Sequence, residues 1–151
     1  FLQKRYGRMA KPFTIIKLRT MAVDGEVDSE ANIAEGPLTL IPNDPRVTRL
    51  GGWMRRHKVD ELPQLINVLK GDMSLVGPRP PMEDELLQYS EWQKGRLFVK
   101  PGLTGLWQID KQRKWRFNEM VELDLKYILT WSLLLDYSVM LRTVQVVLRG
   151  S

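Results

Sequence analysis

The sequence predicts an α+β domain, compact and mostly helical, with a short β-sheet and amphipathic helices suited to an interface. Three observations carry this. A β-branched and aromatic run lies near the N-terminus. An apolar stripe at helical spacing occupies the middle of the chain. The tail is apolar on more than one helical stripe.

The elements follow in order. "KPFTIIKLRTM", Lys11 to Met21, reads as the strand. With a period of two, Phe13, Ile15, Lys17 and Arg19 share one face. Two cations on one strand face suit either a phosphate or solvent. The stretch from Val23 to Gly51 is polar and punctuated by Gly, Pro, Asn and Asp, and reads as a loop. Arg46 to Met54 starts a short helix carrying a basic block. "DELPQLINVLKG" follows, with Leu62, Leu65, Ile66 and Leu69 at helical spacing. Asp60 is placed as its N-cap, Pro63 in its first turn and Gly71 at its stop. "MEDELLQYSEWQKG" reads as one further helix, acidic early and ended by Gly95. "VKPGLTGLWQID" reads as a turn entering a strand or loop, and "RFNEMVELDLKYI" as a helix. The tail helix, "WSLLLDYSVMLRTVQVVLRG", is expected to be buried, or to meet a membrane interface or a partner.

Composition bounds the chemistry. The chain has 151 residues, enough for one domain with a real core. Its net charge of +5 favours anionic partners: nucleic acid, phosphorylated small molecules or an anionic membrane surface. There is no cysteine and His57 is the single histidine, which excludes disulfides, thiol catalysis and multi-histidine metal sites. A metal would have to be a hard, oxygen-liganded ion such as Mg²⁺. No segment reaches the roughly 18 to 20 apolar residues that span a bilayer.

The densest chemistry lies between Arg55 and Pro80. Asp60 and Glu61 stand side by side just after Arg55, Arg56, His57 and Lys58. At a helix start, free N–H groups and the helix dipole hold carboxylates ionised and also attract phosphate. Such a pair most often serves as a cap. It can also bind a divalent ion or attack phosphorus. Downstream, Pro78 and Pro80 stiffen the backbone around Arg79, and a guanidinium on a stiff loop suits bidentate phosphate binding or simply builds a turn.

"KLRTM", "DELPQLINVLKGDMSLVGPRP", "KPGLTGLWQI", "ELDLKYI" and "SLLLDYSVMLRTV" follow one another here as they do in bacterial sugar transferases. The chain resembles these monotopic phosphoglycosyl transferases over nearly its whole length. The resemblance implies transfer of a sugar 1-phosphate from a UDP-sugar to undecaprenyl phosphate, with release of UMP. It implies that Asp60 attacks the β-phosphate and carries the sugar phosphate as an acyl phosphate, and that Glu61 binds Mg²⁺. It maps Lys17 and Arg19 to cationic strand residues and Arg55 and Arg79 to phosphate clamps. Asp136 and Glu122 are implied only as site support. It further implies one catalytic domain, 1–151, a C-terminal fragment whose first residue follows a re-entrant membrane helix. That domain would sit at the cytoplasmic face of a bacterial inner membrane, against the cytoplasmic leaflet, with a homo-oligomer left open.

The pattern departs at Gln112, which stands where the family usually has an arginine; Arg113 follows and is assigned to the phosphate by a one-residue shift. A non-catalytic binding module of the same fold is the alternative. A nucleic-acid-binding domain rests on charge alone, and the aromatics lack the spacing of a stacking platform.

Overall fold

The computed structural model describes residues 1–22, 45–109 and 115–150. Most of the expected polar loop, Val23 to Asp44, lies outside the described residues, as do Gln112 and the candidate Arg113.

Among the described residues, four short strands form two separate two-stranded sheets. Strands β1 (Leu2–Tyr6) and β2 (Pro12–Ile16) are antiparallel, with Leu2 opposite Ile16 and Tyr6 opposite Pro12. The expected strand is therefore shorter than Lys11 to Met21. It ends at Ile16, and Lys17 and Arg19 lie on the extended chain beyond it. That chain continues to a single bridge between Met21 and Val47. Strand β1 was not anticipated, because its charged residues break the apolar alternation. The parallel pair is β3 (Ser74–Val76) with β4 (Gly102–Thr104). Here the backbones meet so closely that a Cβ on Gly102 would lie 2.1 Å from the nitrogen of Gly77, so only glycine fits.

Helix α1 (Arg49–Arg56) is capped by Thr48, whose hydroxyl accepts from the Gly51 N–H at 2.9 Å. A 3₁₀ segment, Val59–Gln64, then runs into α2 (Leu65–Lys70), which stops at Gly71 with φ of 84° as expected. The stripe read as a core face is turned outward: Leu69 is 87% exposed, Leu62 54%, Ile66 45% and Leu65 41%. The buried side of α2 instead carries Asn67. "MEDELLQYSEWQKG" is not one helix. It divides into α3 (Glu83–Leu87) and a 3₁₀ segment, Gln93–Phe98, that continues through Gly95.

Helices α4 (Phe117–Leu129) and α5 (Leu133–Arg149) match the expected positions. Val76, Tyr127 and Val139 form the apolar centre, joined by Leu106, Ile128, Leu135 and Met140. The Tyr127 hydroxyl donates to the carbonyl of Val76 at 3.2 Å, fastening α4 to β3. Of the alternatives for the tail helix, burial does not hold. Val139 is its one buried residue among those described, while Leu133, Leu134, Tyr137, Leu141, Val144 and Leu148 are exposed.

Asn67 joins the two halves. It is buried; its Oδ1 accepts from the Ile16 N–H at 3.2 Å and its Nδ2 donates to the Thr14 carbonyl at 2.7 Å. One amide thus seals the free edge of β2 to α2. Replacing it with an apolar side chain would strand both backbone groups. We expect Asn67→Leu to destabilise the fold by about 2–4 kcal/mol in urea unfolding, and a loss below about 0.5 kcal/mol would show that the edge is held otherwise.

Candidate active site

Asp60 and Glu61 lie early in the 3₁₀ segment Val59–Gln64. The segment is entered through Lys58, which adopts the left-handed conformation at φ 50°. Asp60 is therefore not an N-cap, and no side chain caps this segment. What fixes Asp60 is its backbone, whose carbonyl accepts from the Leu18 N–H at 3.0 Å. The chain leaving β2 thereby runs directly beside the acidic pair, and Lys17 reaches Glu61 at 3.2 Å.

The surroundings of Asp60 also act on how readily its carboxyl gives up its proton. The Asp60 carboxyl is pushed above its usual value, first by burial and then by the charge of Glu61. Lys17 and Arg55 pull the other way without winning. A half-buried carboxylate with few donors of its own is a better nucleophile than a well-solvated cap, because less solvation must be stripped from it. Lys58 faces both acids, and its own pKa is lowered by burial.

The remaining expected residues divide. Arg55 is held by its Nε, which donates to the Thr20 hydroxyl at 2.8 Å, and its charge is felt at Asp60. Arg79 shares a small cavity wall with Lys17 and Glu61. Its Nη1 donates to both oxygens of Glu85, at 3.0 and 3.1 Å. Arg19 is exposed on the chain after β2. The structure does not bring Asp136 to the acidic pair. Its carboxylate is occupied by the Tyr127 hydroxyl at 2.7 Å and the Trp131 indole N–H at 3.1 Å, at the turn between α4 and α5. Glu122 is exposed on α4, lining an open groove with Trp92 and Lys126.

Sequence reasoning missed the buried charges behind the Pro-Arg-Pro turn. Glu85 is 1% exposed, holds Arg79, accepts from the Met82 N–H at 2.8 Å and lies 3.9 Å from Arg5. Arg5 donates to the Pro80 carbonyl at 3.4 Å, and the Tyr6 N–H donates to the Pro81 carbonyl at 3.1 Å. Arg96 donates to the Arg79 carbonyl at 3.4 Å and pairs with the buried Asp124. Burial pushes the Asp124 carboxyl up to about 6 against the pull of Arg96. A run of acids at a helix start gave no sign that its third member, Glu85, is buried.

The electrostatic order around Asp60 is testable without turnover. In a ¹³C-carboxylate titration, Asp60 should ionise above the ordinary aspartate value of 3.8. Lys17→Met should raise it further and Glu61→Gln should lower it. A midpoint at or below 3.8 would remove burial as the dominant influence.

Comparison with known proteins fits this arrangement. A profile of the family described as bacterial sugar transferase matches residues 1–150. The chain is 45% identical to the galactosyl transferase CpsE of Streptococcus agalactiae serotype III, over all of this chain and 35% of that protein. It is 40% identical to the undecaprenyl-phosphate galactose phosphotransferase of Salmonella typhimurium, over 97% of this chain and 32% of that protein. It is also 40% identical to the UDP-glucose:undecaprenyl-phosphate glucose-1-phosphate transferase of Escherichia coli K12, over 95% of this chain and 31% of that protein. The chain thus spans about a third of the length of these relatives. A match over 150 residues that carries the acidic pair and the arginine turn on one scaffold leaves no other placing: the chain belongs to the bacterial sugar transferase family.

Proposed function

We propose that this chain is a phosphoglycosyl transferase catalytic domain that moves a sugar 1-phosphate from a UDP-sugar to undecaprenyl phosphate. The observation that carries the reading is Asp60, a half-buried carboxylate of raised pKa with Glu61, Lys17, Lys58 and Arg55 around it. Relatives named for transfer of galactose or glucose phosphate to undecaprenyl phosphate support it.

The chemistry runs in two displacements. A carboxylate oxygen of Asp60 attacks the β-phosphorus, and the bond from that phosphorus to the bridging oxygen breaks. The electron pair leaves with UMP, and an acyl phosphate joins Asp60 to the sugar phosphate. An oxygen of undecaprenyl phosphate then attacks the same phosphorus and the Asp60 carboxylate departs. Two steps through a good leaving group replace one difficult transfer between two anions. Lys17, Arg55 and Arg79 are the groups that offset the phosphate charge, together with Arg113 in the sequence-based assignment.

Mg²⁺ fits the donor set as a shared ligand. Among the described residues, no group of three acids or histidines forms a cage. Mg²⁺ is ordinarily held by one or two carboxylates together with substrate phosphates, and Glu61 beside Asp60 offers that half of the shell. When bound, the ion would screen the diphosphate and stabilise the leaving nucleotide. Glu61, now paired with Lys17, would be the residue to hold the ion, and Lys17 would then be available to phosphate.

Incubation with the UDP-sugar alone should release up to one UMP per site and add a sugar-phosphate mass to the peptide containing Asp60. Asp60→Asn should lower turnover by roughly three orders of magnitude or more while leaving the melting temperature little changed. Glu61→Gln should be severely impaired as well. UMP release that strictly requires undecaprenyl phosphate, with no adduct trapped, would replace the covalent route by direct transfer.

The outward leucines bear on where the domain works. No helix is long and apolar enough to cross a membrane among the described residues. Leu62, Leu65, Ile66 and Leu69 are nevertheless exposed next to the acidic pair, and α5 exposes six further large apolar side chains. With a basic chain around them, these suit an anionic leaflet on the cytoplasmic side of the inner membrane. The chain should float with anionic vesicles, and Leu65→Glu combined with Leu134→Glu should weaken that at least tenfold. Equal flotation of both proteins would place the contact elsewhere.

A further inference from the structure

A cavity of about 30 Å³ lies against Glu61, and its wall includes Arg5, Lys17, Gln64, Arg79 and Gln108. That volume holds one oxygen-sized group and not a whole sugar or phosphate. Two of the wall groups lack partners among the described residues. Gln64, 3% exposed, has a buried Nε2 with no acceptor, and Gln108 has a buried Oε1 with no donor. A buried amide left unpaired costs about 1–3 kcal/mol, so two at one small cavity suggest a purpose.

The pair defines the chemistry of the occupant. The group must accept from Gln64 and donate to Gln108. A phosphate oxygen only accepts, and would place its charge against the Gln108 oxygen. A hydroxyl does both jobs and is neutral. Its place is also constrained. Glu61 follows Asp60 directly, and the donor sugar is bonded through one oxygen to the phosphorus that Asp60 attacks.

We propose that this cavity receives one hydroxyl of the transferred sugar, making Gln64 and Gln108 specificity-determining residues. The inference rests on the phosphoglycosyl transferase reading above. A sugar lacking that hydroxyl, or holding it in the other configuration, leaves both amides unpaired and is rejected.

The test is a cycle between side chain and hydroxyl. The UDP-hexose giving fastest UMP release is compared with its single-deoxy analogues and with the donor lacking the ribose 2′-hydroxyl. Wild type should lose about tenfold to a hundredfold in kcat/KM on one sugar-deoxy donor. Gln64→Leu and Gln108→Leu should shrink that discrimination to within about threefold and keep the others. A merely structural role would slow all donors alike. If the leucine variants do not fold, Gln64→Asn and Gln108→Asn withdraw the amides by one methylene and serve the same cycle. Equal losses on every donor would mean a water-filled or phosphate-facing cavity, and coupling to the ribose hydroxyl would move the contact to the nucleotide. Either result overturns the inference while leaving UMP release, and so the transferase reading, intact. A wild type inactive on every nucleotide sugar defeats that reading and this inference with it.

Discussion

The carboxylate of Glu85 is the constraint from which the site hangs. It is buried in a chain whose apolar centre is small, and it gathers Arg79 and the Met82 N–H, with Arg5 close by. A buried carboxylate is costly unless its lone pairs are filled, and filling them here requires three chain segments to converge. Strand β1 brings Arg5, the Pro-Arg-Pro turn brings Arg79, and the start of α3 brings its own N–H. Arg79 is thereby fixed in place before any substrate arrives, which reduces the ordering cost of binding an anion. Removing the carboxylate would leave two like charges, Arg5 and Arg79, facing each other; the pKa of Arg5 is already lowered, first by burial and then by the charge of Arg79.

Behind this group, Arg96 and Asp124 repeat the device. Arg96 steadies the carbonyl of Arg79 and is steadied by Asp124 from α4. The fold therefore trades apolar burial for polar specificity. Among the described residues its sheets are two strands each, and Asn67, Glu85, Arg96 and Asp124 are buried about as deeply as Val76, Val121 and Val139. Polar centres demand direction as well as contact, so they fix one arrangement where a leucine core would tolerate several. This suits the proposed chemistry, whose acidic pair sits on a short 3₁₀ segment with little rigidity of its own.

What the sequence made legible was local. The acidic pair, the stiff arginine turn, the helix stop at Gly71 and the helices α4 and α5 all rest on neighbouring residues, and each stands in the structure. What it hid was decided at a distance. The stripe Leu62, Leu65, Ile66 and Leu69 has the period of a core face, and period alone does not say whether that face meets protein or something else. Asp60 resembled a cap because caps are read from sequence position, whereas Lys58 enters the turn left-handed and withdraws that geometry. Arg5, Gln64, Glu85 and Asp124 looked like ordinary surface polars, since nothing local distinguishes a polar residue that other parts of the fold will bury.

Lys58 carries a consequence for how this protein can change over time. A lysine at φ 50° sits where glycine or asparagine would be more at ease, by about 1 kcal/mol. Exchange for glycine would relieve that strain and make the fold more durable. It would also delete a cation facing both acids. Selection for durability and selection for chemistry pull on this codon in opposite directions. Heat-tolerant descendants of this chain should accordingly acquire their robustness elsewhere and leave the awkward lysine alone.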